Sequence, residues 1–216
     1  GGKVKITLVY DNEVYTEGLR ADWGFSCLVE LEDTPRILFD TGANGSILLS
    51  NMKKLGIEPG SIDEVFISHA HFDHVGGLSG FLDVNSDVKV YVPVSFRGVR
   101  GAKEVVSVSK SMKIHENVFS TGELDNIEQS MAVKTDKGIV LIVGCSHPKM
   151  AHILKAASQF GKVYGIIGGL HGFSEFELFK EMGLICPAHC TQHKTEIKSL
   201  YPDRCIDGGA GRIIEI

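Results

Sequence analysis

The chain has 216 residues, 43% hydrophobic and 23% charged, ordinary values for a folded protein that exclude a disordered, collagen-like or coiled-coil chain. Its formal net charge of -5, from 22 basic and 27 acidic residues with no run of Lys or Arg, argues against nucleic acid as the main partner. The longest apolar stretches, Gly138 to Gly144 and Val163 to Leu170, fall far below the roughly 18 residues needed to cross a bilayer, so no membrane partner is expected.

Lys3 to Tyr10, Gly24 to Leu31 and Arg36 to Phe39 read as strands, rich in Val, Ile and Leu. Ser46 to Leu55 carries Ile47, Leu48, Met52 and Leu55 at helical spacing and stops at Gly56, a helix C-terminal signal. Asp63 to Ser68 reads as a strand, Val75 to Leu82 as a short helix and Val88 to Val92 as a strand. Phe96 to Asn126 is the least patterned stretch and reads as loops over a site. Met131 to Thr135 and Ile139 to Val143 form a hairpin around Asp136-Lys137-Gly138. Pro148 opens a helix running through His152 to Phe160, followed by the strand Lys162 to Ile167, a helix over Ser174 to Met182, the strand Leu184 to Pro187 and a helix over Lys194 to Leu200. Hairpins early and β-then-α units later predict sheet layers covered by helices, in a single domain over residues 1–216. No segment signals a particular assembly state.

Gly1 and Gly2 read as an appended dipeptide, and the start Gly-Gly-Lys-Val-Lys-Ile lacks the apolar core of an export signal. Five cysteines, Cys27, Cys145, Cys186, Cys190 and Cys205, make an odd number without paired spacing, which suits a reducing compartment; the expected location is cytoplasmic.

Ser68-His69-Ala70-His71-Phe72-Asp73-His74 places three imidazoles and a carboxylate together, directly after an apolar strand. Imidazole nitrogen and carboxylate oxygen suit zinc, and a loop at a strand end can aim His69 and His71 at one ion and Asp73 and His74 at a neighbour. One or two zinc ions are the expected cofactors, with manganese or iron as alternatives.

This loop resembles the signature of the metallo-β-lactamase superfamily. The resemblance implies an α+β fold, a four-layer αβ/βα sandwich with a metal site at the edge of the two sheets. Phe39-Asp40-Thr41-Gly42 is similar to the family's strand-end Asp-Thr-Gly, which gives Asp40 the role of orienting the metal loop from beneath. Gly144-Cys145-Ser146-His147 resembles the third His motif, implying that His147 completes a site with His69 and His71. Pro187-Ala188-His189-Cys190-Thr191 resembles the final His motif, implying that His189 completes a second site with Asp73 and His74.

Most two-metal members carry a bridging Asp between the third and last His; here no Asp stands between His147 and His189. Ile166-Ile167-Gly168-Gly169-Leu170-His171-Gly172 occupies that interval, and His171 takes the vacant place in sequence order as a ligand, a proton-transfer residue or a structural one. With Asp11-Asn12 and Gly24-Phe25-Ser26, the Gly-Cys-Ser-His and Gly-Gly-Leu-His segments resemble a branch of metal-dependent hydrolases that includes dihydropterin-methyl-aminobenzene ribofuranosyl phosphate synthase-like proteins.

His115, His152 and His193 lack motif context and are read as surface or helix-face residues. Cys145 and Cys190, beside the expected ligand histidines, are read as buried packing ahead of a thiolate contact to metal, Asp11 and Asn12 as a turn or a rim of the site, and Trp23 and Phe25 as core or pocket wall. The implied function is a metal-dependent hydrolase in which a metal-bound hydroxide attacks a small ester, phosphoester or pterin-like phosphorylated substrate. Asp73 and His171 are its expected catalytic residues, the first orienting the water and the second protonating the leaving group. The alternatives are a non-catalytic metal- or ligand-binding domain, favoured by the absent bridging Asp, and a di-iron redox enzyme, which His71 argues against.

Overall fold

Side chains alternate faces along a strand, so Gly138–Val143 turns Val140 and Ile142 one way and Ile139, Leu141 and Val143 the other. All five are buried, which demands cover on both faces and dictates a layered structure. The computed structural model describes residues 3–216; Gly1 and Gly2, read above as an appended dipeptide, lie outside the described residues.

In chain order the strands are β1 (Val4–Tyr10), β2 (Ser26–Leu31), β3 (Ile37–Phe39), β4 (Glu64–Phe66), β5 (Lys89–Pro93), β6 (Glu104–Val108), β7 (Lys110–His115), β8 (Val118–Gly122), β9 (Met131–Thr135), β10 (Gly138–Val143), β11 (Val163–Gly169), β12 (Leu184–Ala188) and β13 (Ile213–Glu215). The helices are α1 (Gly45–Lys54), α2 (Phe72–Val75), α3 (Leu78–Val84), α4 (Met150–Ser158) and α5 (Lys194–Leu200). One sheet runs β13-β1-β2-β3-β4-β5-β6 and the other β12-β11-β10-β9-β8-β7. In each, an antiparallel portion passes into a parallel one: β3, β4, β5 and β6 are parallel in the first sheet and β10, β11 and β12 in the second.

The central core joins the facing sides of the two sheets, with Ile6, Leu8, Phe39 and Phe66 on one side and Met131, Val133, Val140 and Ile142 on the other. An outer core packs Leu28, Leu38 and Val65 against Leu48 and Met52 of α1 and Phe81 of α3. A third packs Ile139, Leu141 and Ile166 against Ile153 of α4 and Ile197 of α5. The layers are therefore helix, sheet, sheet, helix.

The first helix follows its sequence signals closely. Asn44 caps α1 by accepting a hydrogen bond from the Ile47 backbone N–H (3.1 Å), and the chain leaves it at Gly56 with a positive φ of 73°. Three segments differ from expectation. Phe96 to Asn126 is not a set of loops but contains β6, β7 and β8, and β6 and β7 pair at the outer ends of their sheets. Their mixed sequences, EVVSV and KSMKIH, are largely exposed or half-buried, so the apolar alternation that marks a buried strand is missing. The helix expected over Ser174 to Met182 contracts to a single 3-10 turn, Phe176–Phe179, because Phe173 stacks on Phe179 and turns its edge to Phe176, an arrangement three-residue spacing satisfies. The edge strand β13 was unanticipated, being only three residues long.

Candidate metal centre

In both sheets the parallel strands end at the same edge, and ligand sites of open sheets form beyond such carboxyl ends. Asp40 follows β3, the Ser68–His74 loop follows β4, Gly144 to His147 follow β10, His171 follows β11 and His189 follows β12. Asp40, Ser146, His171 and His189 all take positive φ, at 56°, 60°, 46° and 47°. Residues other than glycine seldom adopt this conformation, and it is held by surrounding contacts where function demands a direction.

The ligand atoms of His69, His71 and His147 lie within 4.8 Å of one another. His69 is fully buried and its Nδ1 is 2.8 Å from Ser68 Oγ, which itself donates to Asp40 Oδ2 at 2.6 Å. The Ser68 hydroxyl having given its proton to Asp40, it accepts Nδ1–H from His69, and a lone pair is left on His69 Nε2. That Nε2 and the Nε2 of His147 are buried without a hydrogen-bond partner among the described residues. Two orphaned ring nitrogens converging on a third imidazole are costly in a protein interior and natural around a cation.

The second cluster gathers Asp73, His74, Cys145 and His189, again within 4.8 Å. His74 Nδ1 meets Asp40 Oδ2 at 2.7 Å, and its Nε2 lies 3.1 Å from Cys145 Sγ and 3.5 Å from Asp73 Oδ2. His189 Nδ1 meets Asn12 Oδ1 at 2.8 Å, its backbone N–H donates to Asp11 Oδ1 at 2.8 Å, and its Nε2 is 2.9 Å from Asp73 Oδ2. In both histidines an oxygen partner holds Nδ1 so that Nε2 turns inward, the arrangement by which outer residues set a ligand's tautomer.

Electrostatics separate the clusters. Burial, reinforced by neighbouring imidazoles, pushes His69 far below the ordinary histidine range and His147 down to about 4, so both are neutral at pH 7. Burial also works against a charge on His74, yet Asp40 and Asp73 overcome it and raise the imidazole to about 10. Asp73 is held below the carboxylate range: burial opposes this, and hydrogen bonds from His189 and His74 outweigh it. The second cluster thus holds a positive charge between two carboxylates, a position a divalent ion would fill.

All six residues expected as ligands, His69, His71, Asp73, His74, His147 and His189, come together, divided as anticipated, with Asp40 beneath both clusters. His171 joins neither; it stands exposed at the edge with its ring centroid 5.2 Å from that of His147. Trp23 is exposed and set edge-on to His189 at 5.2 Å, and so lines the mouth, whereas Phe25 is core. His115, His152 and His193 pair elsewhere with Glu64, Asp125 and Glu196.

Sequence reasoning missed Glu128. It is fully buried and accepts the backbone N–H groups of Cys145 (3.0 Å), Ser146 (3.2 Å) and His147 (3.1 Å), while lying 3.8 Å from His69 Nδ1. Burial raises its carboxyl despite those three donors. It fixes the turn that delivers His147, but no motif accompanies it. Asp11 and Asn12, left between turn and rim, prove to hold His189, and Cys145, read as packing, lies inside the second cluster.

Comparison with known proteins meets this geometry. The family model for the metallo-beta-lactamase superfamily matches residues 24–125. The chain is 30% identical to the 7,8-dihydropterin-6-methyl-4-(beta-D-ribofuranosyl)-aminobenzene-5'-phosphate synthase of Methanocaldococcus jannaschii, over 88% of each chain. The chain belongs to the metallo-β-lactamase superfamily. Within the superfamily it is also similar to the crystal structure of Tm1679, described as a metal-dependent hydrolase, with a TM-score of 0.80 and 25% identity over 99% of both chains. The ribonuclease Z of Aeropyrum pernix is 27% identical over 64% of this chain and 41% of its own length. The fold is accordingly the superfamily's four-layer sandwich, with the histidine and aspartate clusters beyond the carboxyl ends of its parallel strands. No helix among the described residues is long and apolar enough to cross a membrane.

Proposed function

We propose that the chain is a metal-dependent hydrolase acting on a small ester or phosphoester, with a phosphorylated, pterin-like molecule as the favoured substrate. The observation that carries this reading is the pair of orphaned, buried Nε2 atoms on His69 and His147 beside an Asp73, His74 and His189 set. Zinc suits these donors best, ahead of manganese or iron, with His69, His71 and His147 holding one ion and Asp73, His74 and His189 the other. Ions bound there supply Lewis acidity that brings the pKa of a water toward about 7 and draws charge from a carbonyl or phosphoryl oxygen.

The remaining work falls to the chain. Asp73, between His74 and His189, accepts the hydrogen bond that orients the attacking water. His171, exposed beside His147, gives a proton to the leaving group. Trp23 and Phe72, exposed next to ligand histidines, offer flat apolar surface for a ring system. Net charge of -5 supports a small substrate over RNA, and five free thiols support a cytoplasmic setting.

The M. jannaschii relative is named a synthase, and similarity over 88% of both chains favours a second reading in which the same centre forms rather than hydrolyses a bond to such a substrate. A panel of carboxylic esters, phosphodiesters and phosphorylated pterins, each with the zinc-loaded and metal-stripped protein, tests both. Metal-dependent release of alcohol or phosphate supports the hydrolase. Metal-dependent bond formation to the pterin in place of its hydrolysis favours the synthase, and a loaded protein that binds a member of the panel but turns it over in neither direction is a non-catalytic binding domain.

A further inference from the structure

We propose that Cys145 provides the fourth donor of the second cluster, its thiolate completing the set of Asp73, His74 and His189. The assignment rests on the reading of the clusters as a metal centre. It follows from three observations on different elements.

The first is placement. Cys145 Sγ is 3.1 Å from His74 Nε2 and within 4.8 Å of the Asp73 and His189 ligand atoms, while Asp73 Oδ2 lies 2.9 Å from His189 Nε2 and 3.5 Å from His74 Nε2. Separations of this order are those of donors that share one ion at about 2.0–2.3 Å. The second is steric. Gly168 and Gly169, at the end of β11, have no room for a side chain. A Cβ on residue 168 would come 1.9 Å from the Val143 carbonyl oxygen, and one on residue 169 would come 2.2 Å from the Gly144 carbonyl oxygen and 2.8 Å from Cys190 Sγ. The end of β11 is pressed as bare backbone against Gly144 and Cys145, so it offers the second cluster no side-chain donor, and the residue it presses on carries the thiol.

The third is delivery. Glu128 clamps the backbone N–H groups of Cys145, Ser146 and His147, and Ser146 turns through a positive φ of 60°. One fixed turn therefore sends His147 to the first cluster and Cys145 to the second, linking the two sites through the chain. The resulting donor set of two imidazoles, one carboxylate and one thiolate is softer than an all-nitrogen-and-oxygen set, and it favours zinc or cobalt over manganese or magnesium at this position. Cys190 Sγ, 3.2 Å from Cys145 Sγ, lies outside the cluster and can donate a hydrogen bond to the sulfur.

The test reads coordination rather than turnover. The whole chain loaded with two cobalt(II) ions should show a thiolate-to-cobalt charge-transfer band in the near ultraviolet. The band should vanish in Cys145→Ser, persist in Cys190→Ser, and persist in His147→Ala, which removes a ligand only from the first cluster. X-ray absorption on the zinc-loaded natural sequence needs no variant to fold and should find a sulfur neighbour at about 2.3 Å. Two bound ions without band or sulfur neighbour would overturn the thiolate and leave the metal centre standing. A band that survives Cys145→Ser and disappears in Cys190→Ser would also overturn it. A chain that takes up no metal overturns both readings.

Discussion

The imidazoles of His69 and His147 are neutral and pack edge to face at 4.9 Å, whereas His74 is held as a cation by Asp40 and Asp73. The same residue type thus builds two neighbouring clusters by opposite means. In the first cluster desolvation strips the proton and leaves lone pairs with nothing to bind, so the cost of folding is an unmet acceptor. In the second, carboxylates call for positive charge and a proton fills the need until an ion replaces it. If ions bind as proposed, His69 and His147 have no proton to lose at neutral pH, whereas the second cluster must lose one from His74 and one from Cys145 to load. One carboxylate, Asp40, underlies both, through Ser68 to His69 and directly to His74.

The largest effect should come from removing a ligand. His147→Ala and His189→Ala should each lower bound metal from two ions per chain to one and cut turnover roughly a thousandfold, the worth of several kcal/mol of lost charge stabilisation. If both variants lost both ions, the clusters would be one cooperative site and the contrast would fail. Glu128→Gln should come next, weakening metal about 10- to 100-fold at both clusters through the turn that carries His147 and Cys145, because a supporting residue rather than a ligand is altered. Competition with a chromophoric chelator, ion by ion, measures this. Asp40→Asn should likewise weaken both.

The third prediction concerns protons. Between pH 7 and 9 the first ion should bind without releasing a proton from His69 or His147, and the second should displace one from His74 and one from the Cys145 thiol; calorimetry in buffers of different ionisation enthalpy separates the two ions. The sign for the metal-free fold follows. The His74 pKa rises from an ordinary ~6.5 to about 10 on folding, so its contribution to stability is complete below pH 6.5 and is lost as pH rises toward 10. Denaturant midpoints of the metal-free protein should fall across that window, and a midpoint rising there would contradict the carboxylate-held cation. His171→Ala should reduce turnover while leaving two ions bound, and an equal loss of metal would make it a ligand. The smallest effect belongs to Trp23→Ala, a several-fold rise in KM with kcat nearly unchanged, from loss of one aromatic contact at the mouth.

The two clusters were unequally legible in the sequence. His69, His71, Asp73 and His74 share one loop, and His147 and His189 end apolar strands, so local order marks them. What tunes them lies far along the chain: Glu128 reaches the His147 turn across 17 to 19 residues, Cys145 meets His74 across 71 and Asn12 meets His189 across 177. Such contacts exist only once the two sheets are stacked, and a lone buried Glu carries no local pattern. The fold divides in the same way. Strands buried on both faces, such as β1 and β10, announce themselves by apolar runs, while the exposed edge strands β6 and β7 share the composition of loops.

The central claim, two metal sites prepared by different electrostatics, is tested most directly by metal content. Plasma mass spectrometry on the protein purified without added metal or chelator, then reconstituted with zinc, should find two ions per chain, and one in His71→Ala with the Asp73, His74 and His189 site still filled. A content near zero after reconstitution, or no change in His71→Ala, would contradict it.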